Sequence, residues 1–137
     1  MSQDHRAILK RAIENFNNPD TRSQYFDLYD EKCVLSGYPG VEPGLSGIKQ
    51  FYEETFTAFP DCQVTIDETL ADGDTLACRF TFRGTHKGEF MGIPPTDKQV
   101  TMLGMTTLRF VGDKCVERWA VTDMLSLMQQ IGAVPSE

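Results

Sequence analysis

Histidine and positive charge are both scarce in this 137-residue sequence. Only His5 and His86 are present, and 13 Lys and Arg residues face 20 Asp and Glu residues, for a formal net charge of −7. Histidine-rich metal sites need several such ligands, and contacts to phosphate groups need clustered Lys and Arg. We therefore expect no metal, and neither nucleic acid nor an anionic membrane as a partner.

Long hydrophobic runs are also lacking. No run approaches the ~18 apolar residues of a membrane span, and the first 16 residues mix both charge signs through a helical pattern, unlike a signal peptide. We therefore expect a cytoplasmic protein. The four cysteines (Cys33, Cys62, Cys78 and Cys115) form no CxxC pair, so we expect buried small side chains rather than a zinc or thiol-exchange site.

The motifs of several common enzyme classes are missing. The sequence has no GxSxG, GxGxxG, P-loop or HExxH pattern, which argues against hydrolase, nucleotide-binding and metalloprotease sites of the common types. We therefore expect no cofactor. What remains is an ordinary globular composition, with 40% hydrophobic and 24% charged residues and no repeat or long linker. We expect one domain over residues 1–137.

Hydrophobic periodicity predicts three helices in the first part of the chain. The first ends at Asn17-Asn18-Pro19, where Asn18 can cap a second helix with Pro19 at its first position. The third is capped by Ser46 and ends before Pro60, because proline lacks the N–H that a helix needs. The apolar stripes of the three helices consist of Ile8, Leu9, Ala12, Ile13, Phe16, Tyr25, Phe26, Tyr29, Ile48, Phe51, Tyr52, Phe56 and Phe59.

Alternation of apolar and polar residues predicts strands in the rest of the chain. Asp72-Gly73 and Gly112-Asp113 are hairpin signals, and a short helical turn precedes Gly132. The predicted strands cover residues 62–70, 76–83, 100–110 and 115–123. Helices followed by hairpin-joined strands indicate an α+β fold, in which an antiparallel sheet buries one face under the helices.

The last two strands carry apolar residues on both faces. Val100, Met102 and Phe110 belong to one alternating set, and Leu103 and Met105 belong to the other. A sheet with two apolar faces buries the second one against another molecule. We therefore expect a homodimer formed through the back of the sheet.

Acid–base candidates are few. His5 lies at a terminus, so a histidine base must be His86, for which the alternative is a hydrogen-bonded structural role in a glycine-rich bend. Glu117 and Asp123 are six residues apart on one strand and share a face. The alternative for Asp123 is to cap the following turn through Ser126.

Two arginines lie within apolar strands, where a charge needs a partner. For Arg79 and Arg118, Glu117 is a candidate partner, and the alternatives are a structural ion pair or a clamp on a substrate. The aromatic stripes of the helices are either core or the walls of an apolar pocket in a partly open cone. Acid–base chemistry without a cofactor would fit such a pocket.

Several segments carry a family resemblance. They are GTHKGEFMGIPPTDK at 84–98, LRFVGDKCVERW at 108–119, DMLSLMQQIGA at 123–133 and, upstream, GLSGIKQFYEETFTAFPD at 44–61. These segments resemble the SnoaL-like polyketide cyclase (ester cyclase) family of the nuclear transport factor 2-like superfamily. The resemblance implies a cone-shaped, curved antiparallel sheet packed on N-terminal helices, a cystatin-like α+β barrel that encloses a pocket and commonly dimerises.

The resemblance also implies a type of chemistry. Similar proteins close a polyketide ring by an intramolecular aldol reaction without a cofactor, using an aspartate and a nearby histidine. Carried over to this sequence, the two positions fall on Ala120 and Thr106. Neither side chain transfers a proton at neutral pH as aspartate or histidine would.

We therefore expect a pocket for a small, apolar, oxygenated or polyketide-like molecule, and cofactor-free chemistry of cyclase or isomerase type. Asp123 or His86 would be the base, and Arg118 or Tyr38 would polarise a carbonyl. The expected substrate-binding residues are Phe16, Tyr38, Tyr52, Phe56, Thr106, Arg118, Trp119 and Ala120. The alternative is a non-catalytic ligand-binding or dimerisation module of the same fold, which Ala120 and Thr106 favour.

Overall fold

A computed structural model describes residues 4–135 of the chain. The helices are α1 (His5–Asn17), a 3₁₀ helix (Arg22–Leu28), α2 (Leu45–Ala58) and α3 (Met124–Gln130). The strands are β1 (Tyr29–Ser36), β2 (Gln63–Asp72), β3 (Thr75–Thr85), β4 (Gln99–Val111) and β5 (Lys114–Thr122). The predicted α+β class, with helices packed on a curved sheet, is confirmed.

The five strands form one open, curved sheet in the order β1-β5-β4-β3-β2. Strands β2 to β5 pair in antiparallel fashion, as the hairpin signals predict. Strand β1 lies parallel to β5, a pairing that the sequence analysis did not predict. Because β1 and β5 are far apart in the chain, no turn between them reveals the pairing. The sheet therefore ends at β1 and β2 and does not close into a barrel.

The segment after α1 differs from the prediction, because it is a 3₁₀ helix and not an α-helix starting at Pro19. The backbone N–H groups of Thr21 and Gln24 donate to the carbonyl oxygens three residues earlier, Asn18 and Thr21, at 3.0 and 2.9 Å. These bonds, with a spacing of three residues, establish 3₁₀ geometry from the start of the segment. The helix ends at Leu28, and the next residue, Tyr29, opens β1.

Helix α2 begins slightly earlier than predicted. Its N-cap is Gly44, with a φ of 94° that favours glycine, and not Ser46, which lies in the first turn. The helix ends at Ala58, two residues before Pro60, as predicted. The short C-terminal helix, α3, is also present before Gly132.

The two faces of the sheet differ in burial. Along β4, buried and exposed residues alternate, with Thr106 and Leu108 facing inward and Leu103 and Met105 facing outward. The outer face exposes apolar side chains, including Leu103 (61%), Met105 (62%) and Val121 (75%). The two apolar sets predicted for the sheet are therefore present, and the homodimer stays a prediction.

All four cysteines are buried free thiols, as predicted. Within residues 4–135, no helix is both long enough and apolar enough to cross a membrane. Helix α1 is tied to the edge of the sheet by Asn17, which donates to the carbonyl oxygen of Val64 (2.9 Å) and accepts from its N–H (2.7 Å). This pairing holds α1 over the inner face of the sheet, where the site lies.

Candidate active site

An apolar cavity of about 440 Å³ lies between the helices and the inner face of the sheet. This volume falls within the range of small-molecule pockets, about 300–1,000 Å³. Much of its wall consists of Leu9, Ile13, Phe16, Phe51, Phe59, Phe80, Phe82, Met102 and Leu108. The polar and charged side chains that line it are Tyr25, Tyr38, Tyr52, Glu54, Thr55, Glu89, Thr106 and Arg118.

Arg118 brings a positive charge into this cavity, although only 7% of its surface is exposed. It points inward because its neighbours on β5, Glu117 and Trp119, occupy the outward positions of the alternating strand. One guanidinium nitrogen, Nη1, donates to the hydroxyl oxygens of Tyr29 (3.0 Å) and Tyr52. The other terminal nitrogen, Nη2, has no hydrogen-bond partner within residues 4–135, and it is not fully enclosed by protein.

Thr106 holds the guanidinium from the neighbouring strand. Its Oγ1 accepts a hydrogen bond from Nε of Arg118 at 2.9 Å and donates to the carbonyl oxygen of Trp119 at 2.6 Å. Both bonds link β4 to β5, at the position where Thr106 pairs with Ala120. Thr106 is therefore a positioning residue for Arg118, because it fixes the plane in which the guanidinium lies.

Within the described residues, Arg118 has no carboxylate partner. Glu117, the predicted candidate, instead lies 3.8 Å from Arg109 on the outer face, and Arg79 pairs with Glu68 at 3.3 Å. The prediction of a Glu117 partner is wrong because consecutive strand residues point to opposite faces of the sheet. The cation in the cavity is therefore not neutralised by an acidic side chain.

The tyrosines around Arg118 do not supply the missing negative charge. The hydroxyls of Tyr25 and Tyr29 are 2.5 Å apart, and that of Tyr25 lies 3.5 Å from Nη1 of Arg118. Burial raises the pKa of Tyr25 and of Tyr29 well above the usual range, although the Arg118 charge opposes the shift. Burial also raises the pKa of Tyr38, on the same cavity wall. These three phenols are therefore neutral at physiological pH.

The family model of SnoaL-like polyketide cyclases matches residues 7–131. The chain belongs to this family. AclR from Streptomyces galilaeus, described as a candidate hydroxylase, is 30% identical with a TM-score of 0.85, over 96% of this chain and 98% of AclR. IdmH from Streptomyces antibioticus, a candidate polyketide cyclase, is 26% identical with a TM-score of 0.80, over 95% of this chain and 99% of IdmH. No curated protein matches the chain.

In this SnoaL-like protein, the cavity brings together five of the residues predicted to bind a substrate: Phe16, Tyr38, Tyr52, Thr106 and Arg118. The other three lie elsewhere. Phe56 packs edge-on against Phe16 with 5.2 Å between the ring centroids, and Ala120 is buried without lining the cavity. Trp119 lies on the outer face, where 57% of its surface is exposed.

Asp123, one of the two predicted bases, is the N-cap of α3. Its Oδ1 accepts a hydrogen bond from the backbone N–H of Ser126 at 3.0 Å, and its side chain is exposed. This is the capping geometry that the sequence left open as an alternative. Asp123 does not line the cavity.

His86, the other predicted base, is completely buried in the segment that follows β3. Its Nδ1 lies 3.0 Å from Oγ1 of Thr96, and its ring packs against Phe59 with 5.6 Å between centroids. Phe59 lines the cavity and His86 does not. The imidazole therefore packs against a residue of the cavity wall, as a structural histidine would.

Tyr25 and Tyr29 were not predicted as site residues. Both were placed on the apolar stripe of a helix, whereas the structure divides them between the 3₁₀ helix and β1. Their hydroxyls meet Arg118, which lies 93 and 89 residues further along the chain. The available signal was the solitary arginine in an apolar strand, since such a group needs polar contacts.

Proposed function

We propose that the protein is a cofactor-free enzyme of cyclase or isomerase type, acting on a small, largely apolar, oxygenated molecule in the cavity. The family and its solved structures support a cyclase-type function. The observation that carries the proposal is a buried guanidinium in a largely apolar cavity, surrounded by phenolic hydroxyls and without a carboxylate partner within residues 4–135. Such fixed donors act strongly on an oxygen that gains negative charge.

In the proposed mechanism, Arg118 and Tyr52 polarise a substrate carbonyl, and a base removes a proton from the adjacent carbon. The electrons of the C–H bond then form an enolate whose oxygen is stabilised by these donors. The enolate carbon attacks a second carbonyl carbon to close a ring, the π electrons of that carbonyl move to its oxygen, and the protonated base returns its proton to the resulting alkoxide. The described carboxylates that line the cavity are Glu54 and Glu89. We assign the base role to this pair, since neither Asp123 nor His86 lines the cavity.

Turnover of aromatic poly-β-ketones by purified protein tests this function. We expect Tyr52→Phe to lower kcat by at least about tenfold, because it removes a hydrogen bond to a charged group, worth about 1.5–3 kcal/mol. Glu54→Gln or Glu89→Gln should lower kcat further, whereas Asp123→Asn should leave it unchanged, since asparagine also caps helices. A large loss of activity in Asp123→Asn would instead support Asp123 as the base.

The alternative function predicts a different result in the same experiment. If the poly-β-ketones bind, as detected by native mass spectrometry, but are not converted faster than in buffer, the protein is a non-catalytic ligand-binding module. Ala120 and Thr106 favour this alternative, because they occupy the positions where the resemblance places the aspartate and histidine of the cyclases. Conversion above the buffer rate contradicts it.

We also propose that the outer face of the sheet forms a homodimer. The apolar residues Leu103, Met105 and Val121 are exposed there, next to the ion pairs Glu68–Arg79 and Arg109–Glu117. This surface carries both charge signs. When two copies are related by a twofold axis, the arginines of one copy can therefore lie next to the glutamates of the other. The surface is thus self-complementary in charge as well as apolar.

Sedimentation of the wild-type protein and of an interface variant tests the proposed dimer. The wild-type protein should sediment as a dimer at micromolar concentration, and Val121→Glu should shift it to a monomer because a charge would be buried in the interface. Leu125→Glu is the control, because Leu125 is similarly exposed (63%) but lies on α3, outside the sheet. A monomeric wild-type protein would rule out the interface.

A further inference from the structure

We propose that the Arg118 cluster binds an anion, and that the ligand of the cavity carries a carboxylate group on a largely apolar body. The cluster consists of Arg118, Thr106, Tyr25, Tyr29 and Tyr52. The proposal rests on the function proposed above in one respect, that the cavity is the ligand site. It adds the chemical class of the ligand, whose carboxylate and reacting carbonyl share the donors of the cluster.

The charge of the cluster favours an anionic ligand. The guanidinium of Arg118 stays protonated at every physiological pH, and only 7% of the residue is exposed. Glu54 and Glu89 also line the cavity, but both are exposed, and neither forms an ion pair or a hydrogen bond with Arg118. Because Tyr25, Tyr29 and Tyr38 are neutral, they do not balance the charge of Arg118, and a monoanionic ligand would neutralise it.

The balance of hydrogen-bond donors and acceptors in the cluster also favours an anion. Nη2 of Arg118 offers two N–H donors without a partner in the described chain. The three tyrosine hydroxyls carry three protons, and the bond between Tyr25 and Tyr29 uses one of them. Two remain, one on Tyr52 and the other on Tyr25 when Tyr29 is the donor of that pair. The cluster therefore presents four free donors.

A carboxylate matches this set of donors. It has two oxygens with about four acceptor positions, so it can accept from Nη2 of Arg118 and from the tyrosine hydroxyls together. A neutral carbonyl alone has one oxygen and would leave donors unused, and a phosphate would bring about −1.5 to −2 charges against a single cation. The remaining wall is mostly apolar, with Phe16, Phe80 and Leu108 among its residues, so the rest of the ligand is apolar.

Matched ligands test the proposal directly. We expect 1-naphthoate to bind at neutral pH at least about tenfold more tightly than its neutral analogue 1-naphthamide, measured by isothermal titration calorimetry. Arg118→Gln should abolish this preference, and Tyr52→Phe should reduce it. Arg109→Gln is the matched control, because Arg109 lies on the neighbouring strand with its side chain on the exposed outer face. It should keep the full preference.

The outcomes separate this proposal from the proposed function. Equal affinities for the acid and the amide, or a preference that survives Arg118→Gln in a variant with a native circular dichroism spectrum, would overturn the carboxylate site. Equal affinities would still leave the cavity as a ligand site and the cyclase-type function intact. Conversely, a carboxylate preference that depends on Arg118 would stand even if no poly-β-ketone is converted.

Discussion

Replacement of Arg118 by methionine is expected to lower kcat/KM by at least about 100-fold, the usual effect of removing one donor from a preorganised oxyanion site. The free energy of unfolding should nevertheless stay within about 1 kcal/mol of the wild-type value. The two effects differ because the guanidinium contributes more to stabilising the bound ligand than to the stability of the fold.

The small stability change follows from two opposing contributions. Burial of a cation carries a desolvation cost of several kcal/mol, and no carboxylate of the described residues pairs with Arg118 to offset it. The hydrogen bonds that Arg118 donates to Tyr29, Tyr52 and Thr106 offset that cost. Methionine removes both contributions and keeps the apolar stem packed against the cavity wall.

The measurement combines steady-state kinetics with urea unfolding of the same protein samples. Arg11→Met is the matched control, since it removes the same charge from an exposed position of α1 that neither lines the cavity nor lies on the outer face of the sheet. It should change neither activity nor stability appreciably, because substitutions at exposed surface positions usually change stability by no more than about 0.5 kcal/mol. If Arg118→Met lowered the free energy of unfolding by several kcal/mol but left the activity unchanged, Arg118 would be a structural residue.

The sequence was sufficient to predict elements whose signals are local. Helix α2 ends at Ala58, before Pro60 as predicted, and the hairpin between β2 and β3 turns at Asp72-Gly73, because proline and Asp-Gly constrain the backbone where they occur. The parallel pairing of β1 with β5 was not predictable in this way. It depends on contacts between residues about 80 positions apart, such as Ser36 and Trp119.

The candidate site was likewise predictable only in part from the sequence. Arg118 was singled out because a charge in an apolar strand needs partners, and it does lie in the cavity. Its partners were not predictable, since Tyr25, Tyr29 and Tyr52 come from the 3₁₀ helix, β1 and α2. Periodicity shows that such residues are buried, but it does not show which of their hydroxyls converge on one group.

Alkaline pH is expected to destabilise the protein steeply above about pH 10, the ordinary pKa of tyrosine. Burial raises the pKa of Tyr25, Tyr29 and Tyr38 above that value in the folded state. Between the two pKa values, the unfolded chain has lost protons that the folded chain retains, so the free energy of unfolding falls as pH rises. The stabilisation is complete below about pH 10 and is lost through the folded-state pKa values.

Three such groups give a slope of up to about 4 kcal/mol per pH unit, at about 1.4 kcal/mol for each proton. The test follows tyrosinate absorbance and circular dichroism in one titration. Most of the absorbance of these tyrosines should appear together with unfolding. Tyrosinate formed by one of them in the folded protein below about pH 10 would mean that it ionises beside Arg118. That phenolate would be an internal counterion, and the cavity would then have no unpaired charge to offer a ligand.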